Sequence, residues 1–241
     1  MGDAVYREVA AGRDLADRVE CMWYRVEEAG AQVIVPDGCV DLIWLDDREL
    51  VLVGADSGPR TIAMVPGVRT SGIRFRPGAA GSIMQRSAVE VVDQQVPAQL
   101  VWPGSALHVA AELVAASPTE QLHLLVSFVA AQPGKVDLLV AAAAQLFGAR
   151  GGRVAAVAEE LGVSERQLRR RTIAAVGYGP KTLARVIRAR SLVRAPGRSL
   201  AELAHAAGYA SQAHMGDDVR ALTGMTPVRF LEYLGRSSVL T

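Results

Sequence analysis

Four arginines, Arg166, Arg169, Arg170 and Arg171, crowd into the last six positions of "GVSERQLRRR", residues 162–171. A guanidinium is a planar fork of donors. It matches guanine O6 and N7 in the major groove, or it clamps phosphate oxygens. The stretch follows a run rich in Ala, Leu and Val, so it is not a disordered basic tail. Gly162 reads as a turn and Ser164 as the cap of a helix over residues 164–176. At 100° per residue, Leu168 and Thr172 share the inward face, and Arg166, Arg169, Arg170 and Ile173 lie opposite. Arg166 and Arg170 are expected to read bases and Arg169 a base or a phosphate, with Ser164 and Gln167 beside them. Arg171, nearer the core edge, is expected to reach a phosphate. The competing reading is a solvated surface helix with spare cations.

Little else in the chain has the spacing that chemistry requires. His108, His123, His205 and His214 all fall in stretches that read as helix, and Cys21 and Cys39 form no CxxC pair. Neither a metal site nor a disulfide scaffold follows, and no cofactor is expected. No nucleophile–base pair or phosphate loop is evident, so the chain is not expected to be an enzyme. In the N-terminal half, Asp37, Cys39, Asp41, Trp44, Arg74 and Arg76 could line an effector pocket. Asp41 among apolar neighbours would be costly to bury alone, which makes Arg74 its expected partner. A structural ion pair holding the β unit explains these two equally well. Cys39 reads either as a redox or alkylation sensor or as a buried thiol.

The charge distribution points the same way as the arginines. The formal net charge of +1 hides a basic block: residues 150–198 carry 12 Lys and Arg against 3 Asp and Glu. Residues 1–149 carry 11 against 18. A solvated helix face usually mixes both signs, so this block suggests a polyanion partner. No early segment resembles a signal peptide, and no apolar run reaches the roughly 18 residues of a membrane helix. A cytoplasmic location without membrane contact is expected.

The elements that hold these residues divide the chain in two. Residues 33–75 read as β: "QVIVPDGCVDLIWL" gives two apolar runs around a Pro-Asp-Gly turn, and three further short strands follow, separated by Gly or Pro. "CVDLIWL" is apolar on both faces except Asp41, as expected inside a sheet or small barrel. "PGAAGSIMQRSAVEVV", "PGSALHVAAELVAA" and "PTEQLHLLVSFVAAQ" read as helices. A homodimer seam is possible along residues 105–131, through Leu107, Leu113, Leu122, Leu125 and Phe128, although packing within the chain explains them too. His108 and His123 fit the edge of the core or that seam. After Pro133-Gly134 everything reads helical. The expected division is a β-rich sensing domain over 1–100, a helical linker over 101–133 and an all-α domain over 134–241, an α+β chain as a whole.

The all-α part repeats itself. Helix, glycine, serine cap, helix occurs first at Gly162 and Ser164 and again at Gly208 and Ser211, 47 residues from cap to cap. Ala158, Leu161 and Val163 should face inward in the first copy, and Ala204, Ala207 and Tyr209 in the second. That is helix-turn-helix grammar, and two copies at this spacing are a strong signal. In the second reader, residues 211–222, Met215 and Val219 face inward, leaving Ala213, Gly216, Asp217 and Arg220 outward. Gln212 could read adenine, Asp217 could accept from cytosine N4, and Arg220 could hold phosphate. Asp217 and Asp218 would repel phosphate, so this helix is expected to play a subordinate part, docking mainly through its N-terminus near Ser211.

Residues 134–235 resemble the double helix-turn-helix domain of the AraC/XylS transcriptional regulators. The resemblance is carried by "VAAVAEELGVSERQLRRR", "VGYGPKTLARVIRAR", "SLAELAHAAGYASQAHM" and "VRALTGMTPVRFLEYL". It implies seven helices, with one around residues 181–194 joining two sub-domains whose recognition helices enter successive major grooves. The family's base-reading positions fall on Arg166, Arg169 and Arg170, and on Gln212, Ala213, Gly216 and Asp217. Thr172 stands where the family usually has a bulky aromatic, and Asp217 where a basic residue is usual. Residues 1–130 resemble the N-terminal part of a subgroup of such regulators through "VPDGCVDLIW" and "GIRFRPGAA". The resemblance implies a sequence-specific regulator of double-stranded DNA with an effector-sensing or dimerising N-terminal domain. The rival readings are a small-molecule enzyme on the β domain and a non-specific architectural DNA binder.

Overall fold

The computed structural model describes residues 5–150, 153–192 and 198–238. Six strands form one antiparallel sheet: β1 (Val5–Val9), β2 (Val19–Val26), β4 (Val40–Leu45), β5 (Glu49–Val53), β7 (Arg69–Phe75) and β8 (Gln95–Pro97). They are ordered β1-β2-β7-β4-β5-β8, while β3 (Gly30–Ile34) and β6 (Arg60–Met64) pair as a separate ribbon. β4 lies between β7 and β5, as its two-sided apolar sequence demands. The runs on either side of Pro36-Asp37-Gly38 do not pair with each other; they belong to different sheets. β1 and β2 lie before residue 33, where the β reading began. β2 mixes Glu20, Arg25 and Cys21 with apolar residues, so its two-residue period is blurred.

Alternation decides which side chains meet which layer. On β4, Val40, Leu42 and Trp44 are buried and Asp41, Ile43 and Leu45 are half-buried. The first set packs under helices; the second faces the β3–β6 ribbon. The covering helices include α1 (Ala80–Met84), α2 (Ser105–Ala115) and α3 (Pro118–Ala130). α3 starts at a capping box, in which the Ser117 backbone N–H and hydroxyl both donate to Glu120, with Pro118 in the first turn. It is pinned to the sheet by buried Ser71, whose hydroxyl donates to Gln121 Oε1 at 2.8 Å. Leu113, Leu125 and Phe128 are buried in this layer; of the five residues proposed for a dimer seam, Leu107 is exposed and Leu122 half-buried.

Seven helices follow: α4 (Leu138–Arg150), α5 (Val154–Glu160), α6 (Glu165–Val176), α7 (Pro180–Ser191), α8 (Leu200–Ala206), α9 (Gln212–Thr223) and α10 (Pro227–Ser238). The helix expected to reach Arg194 is described to Leu192, and the Pro196-Gly197 break lies outside the described residues. The apolar core does not stop at residue 134. One cluster runs from Leu42, Trp44 and Ile83 through Val140 and Leu168 to Leu183 and Phe230. α6 packs its rear face on α1 and on the 3-10 turn at Ala88–Glu90. The helical half is therefore built onto the β half.

Candidate nucleic-acid interface and ligand cavity

The two helix-turn-helix units share their hydrogen bonds. Val163 N–H donates to Ala158 O at 3.0 Å, and Tyr209 N–H to Ala204 O at 2.9 Å. Gly162 N–H meets Glu159 O, and Gly208 N–H meets His205 O, both at 3.0 Å. These glycines turn the chain at φ 65° and 76°. The turn bonds repeat every 46 residues although the serine caps are 47 apart, because Ala210 adds a residue before the second reader. Ser164 accepts from Gln167 N–H and Ser211 from His214 N–H, closing the N-terminus of each reader as the serines predict. Leu168, Thr172, Met215 and Val219 are fully buried, and Ala158, Ala204, Ala207 and Tyr209 join them in the core.

On α6, Ser164, Arg166, Gln167, Arg169 and Arg170 are exposed. None of the three arginines has a hydrogen bond or ion pair with another described side chain. Arg171 differs. It donates from Nε and Nη2 to Asp137 at 2.8 and 2.6 Å. Asp137 also accepts from Leu139 and Val140 N–H at the start of α4. Its guanidinium is thus held by the protein's own carboxylate, which corrects the expectation that it reaches for phosphate.

The second reader departs further from expectation. Gln212, Ala213, Asp217 and Arg220 are exposed, but Gly216 is buried, with the Arg220 guanidinium lying over it. Arg220 donates to Asp217 at 3.1 Å, so the outward cation and anion of α9 are paired. The Asp218 side chain is only 13% exposed. It receives Arg185 Nε at 2.8 Å and Arg188 Nη2 at 3.1 Å from α7. The Arg188 guanidinium also stacks 4.8 Å from the Tyr209 ring centre. Two basic residues of the chain's cationic block thereby fasten α9 to α7.

A cavity of about 650 Å3 lies between the large sheet and the β3–β6 ribbon. Its floor is a grid set by strand register. Asp41 faces Arg74, Ile43 faces Gly72, and Leu45 faces Thr70 across β4 and β7; Trp23 and Arg25 of β2 face Gly72 and Thr70. Gly72 lacks the Cβ that would strike the Trp23 indole at 2.5 Å, so that ring lies flat on the floor. Arg74 donates twice to Asp41, at 3.1 and 3.2 Å, and lies 3.4 Å from Asp37. Burial works against this guanidinium's charge, but Asp41 and Asp37 hold it protonated well above the ordinary range.

Of the six effector-pocket candidates, Asp37, Cys39, Asp41 and Arg74 line this cavity. Trp44 does not: one-residue alternation turns it to the helix-covered face. Arg76 lies outside as well, bonded to Ala16 O and Glu20. Burial pushes the Cys39 thiol well above its ordinary range, with Asp37 adding to the effect, so it is no ready thiolate. The sequence reading missed Trp23, Arg25, Asp56 and Arg60. It also missed three contributors from the helical half: Arg190 of α7 and Phe230 and Tyr233 of α10. Arg190 donates to Asp37 O at 2.9 Å, joining the cavity rim to the helix between the two readers. The exposed-then-buried rhythm of "VRFLEYL" was the available signal, but nothing in it names the distant strand it covers.

Among the described residues no cluster of His, Cys, Asp and Glu could hold a metal, and no helix is long and apolar enough to cross a membrane. The fold and these paired turns define a protein with a β-rich N-terminal half and a twin helix-turn-helix reader. Residues 157–233 match a family described as Helix-turn-helix domain, and residues 7–97 match a domain of unknown function, DUF6597. Residues 157–233 of the C-terminal half are thus a helix-turn-helix domain. No curated protein matches it in sequence. Among solved structures, ToxT from Vibrio cholerae O395 is similar, with 14% identity and a TM-score of 0.47 over 88% of this chain and 96% of that one. ToxT from Vibrio cholerae strain SCE256 with a bound unsaturated fatty acid aligns with 11% identity and a TM-score of 0.43, covering 86% and 95% of the two chains.

Proposed function

We propose that this chain is a DNA-binding transcription regulator of the AraC type, that it recognises a specific DNA sequence chiefly through α6, with α9 in a lesser part, and that the N-terminal cavity senses a small molecule. One observation carries the DNA reading: Arg166, Arg169 and Arg170 stand exposed on a single helix face without partners among the described residues, while neighbouring Arg171 is tied to Asp137. Free guanidinium forks on a serine-capped helix suit bidentate contacts to guanine, each worth about 1–3 kcal/mol of base discrimination. On α9, the Asp217–Arg220 pair lowers the net positive charge offered to phosphate and supports the lesser part.

The sensing role is supported by the cavity's roof. Phe230 and Tyr233 belong to α10, which follows directly on the second reader, and Arg190 belongs to the helix joining the readers. A ligand that moves either helix shifts the population of reader arrangements. Selecting duplexes from a random pool, then comparing affinity for the selected site with random duplex at fixed salt, tests the DNA reading. A ratio above about a thousandfold is expected. A ratio near one would favour a non-specific architectural binder, because phosphate contacts alone do not discriminate.

A further inference from the structure

Each arginine lining the cavity is already paired. Arg74 has Asp41 at 3.1 Å and Arg60 has Asp56 at 3.0 Å. Arg25 has Glu27, and Arg190 has Glu20, each at 3.5 Å. Every lining arginine thus has a carboxylate of the same chain; Asp37 shares Arg74 with Asp41 at 3.4 Å and accepts the Cys39 N–H, and the lining acids Glu8 and Glu28 lie at the exposed rim. Much of the remaining surface is apolar, with Trp23, Ile43, Val51 and Val53 on the floor, Ile62 and Met64 on the ribbon and Phe230 above, and the uncharged polar groups Gln32, Thr70, Gln95 and Tyr233 lie among them. An ionised ligand would have to break one of these pairs or enter without a counter-charge, and either is costly in a desolvated site.

Among the described residues, two polar atoms of the floor lack a hydrogen-bond partner, Thr70 Oγ1 and Arg25 Nε. They belong to residues directly opposite each other on β7 and β2, and Thr70 is only 3% exposed. The other Arg25 nitrogens are occupied by Gln32 and Glu27. Both orphans can donate, so an acceptor beside them supplies what the fold leaves unmet.

We infer that this cavity takes an uncharged, largely apolar small molecule bearing a hydrogen-bond acceptor such as a carbonyl, seated over Gly72 against Trp23 with its acceptor toward Thr70 and Arg25. The inference rests on reading the cavity as the sensing site. A matched series separates the possibilities: 2-acetylnaphthalene, 2-ethylnaphthalene, 2-naphthoate and (2-naphthyl)methylammonium, titrated calorimetrically into the full chain near neutral pH.

The ketone is expected to bind one to one and most tightly, with both ions weaker by about tenfold or more. Thr70→Val should weaken the ketone several-fold and leave the hydrocarbon unchanged. Ile62→Trp, filling the cavity from the ribbon, should abolish binding of all four in protein whose circular dichroism is native. Tightest binding by either ion overturns the uncharged class. A ketone indifferent to Thr70→Val overturns the acceptor position. No saturable binding of any probe, in protein that still binds its selected duplex, removes this proposal and the sensing role together while leaving the DNA reading intact.

Discussion

Arg171 and Asp137 meet across 34 positions of sequence through two hydrogen bonds of 2.8 and 2.6 Å, joining α6 to the first turn of α4. The carboxylate serves both elements, since it also caps α4. One arginine of the cluster is therefore an anchor, while its neighbours stay open on the face proposed to read DNA. Arg171→Ala should lower unfolding free energy by about 1 kcal/mol, a partly exposed pair being weakened by solvent, and leave the salt dependence of DNA binding unchanged. Arg170→Ala should leave stability within about 0.5 kcal/mol and relax selection at one base pair. Urea unfolding and binding titrations at several salt concentrations on both variants check the division of labour. Equal loss of DNA affinity in the two would reverse it.

The second unit depends on Asp218. Its side chain is 13% exposed and holds Arg185 and Arg188 together. Asp218→Ala leaves two adjacent guanidiniums without that carboxylate and should cost about 2–3 kcal/mol. Hydrogen exchange should show the loss concentrated in α8 and α9. A variant as stable as the parent would mean that the apolar packing of Met215, Val219 and Leu222 holds α9 without this carboxylate.

Gly177 ends α6 at φ 102°, and a Cβ there would run into Val92 and the Ala88 carbonyl. Gly177→Ala is expected to cost about 2–4 kcal/mol through left-handed backbone strain and overpacking. Gly179, two residues on, has φ −74° and open space around it, so Gly179→Ala should change stability by less than about 0.5 kcal/mol. Denaturant midpoints of the two variants provide the comparison.

Two capping boxes predict an acid response. The Ser117 hydroxyl and backbone N–H hold the Glu120 carboxyl below its ordinary 4.5, and Ser199 does the same for Glu202. Because the folded values are depressed, the unfolded chain takes up these protons first. The contribution is present above pH 4.5 and is lost as pH falls through the folded values. The double variant Glu120→Gln, Glu202→Gln should show a shallower fall in Tm between pH 5 and pH 3 than the parent.

Both thiols should resist alkylation. Burial lifts Cys39 well above its ordinary range and Cys21 to about 12. Native protein at pH 8 should react with iodoacetamide orders of magnitude more slowly than urea-unfolded protein. Rapid modification of Cys39 would restore it as a sensor.

Local grammar carried much of this architecture. Glycine, serine and the 3.6-residue period mark both helix-turn-helix units, and the burial of Leu168, Thr172, Met215 and Val219 follows from spacing alone. The Asp41–Arg74 pair was legible because a lone carboxylate in an apolar strand needs a partner. Trp44 was misplaced because a residue list ignores the alternation that sends it away from Asp41. Arg171, Asp218 and Gly216 were read as surface because their partners sit far off in sequence or, for Gly216, in a side chain four residues on. Nothing local announces Asp137 to Arg171, or Phe230 to the strands it covers. Such long-range pairings decide the cavity, and a single sequence records them only as unexplained burial.

Because α10 roofs a chamber floored by β2, β4 and β7, the two halves are not modules that can be cut apart. A fragment ending near residue 133 would lack Phe230 and Tyr233 and bare an oily floor to water, inviting aggregation. The complementary fragment would carry both helix-turn-helix units without the strands that floor the chamber, and an affinity measured on it would not be that of the whole polypeptide.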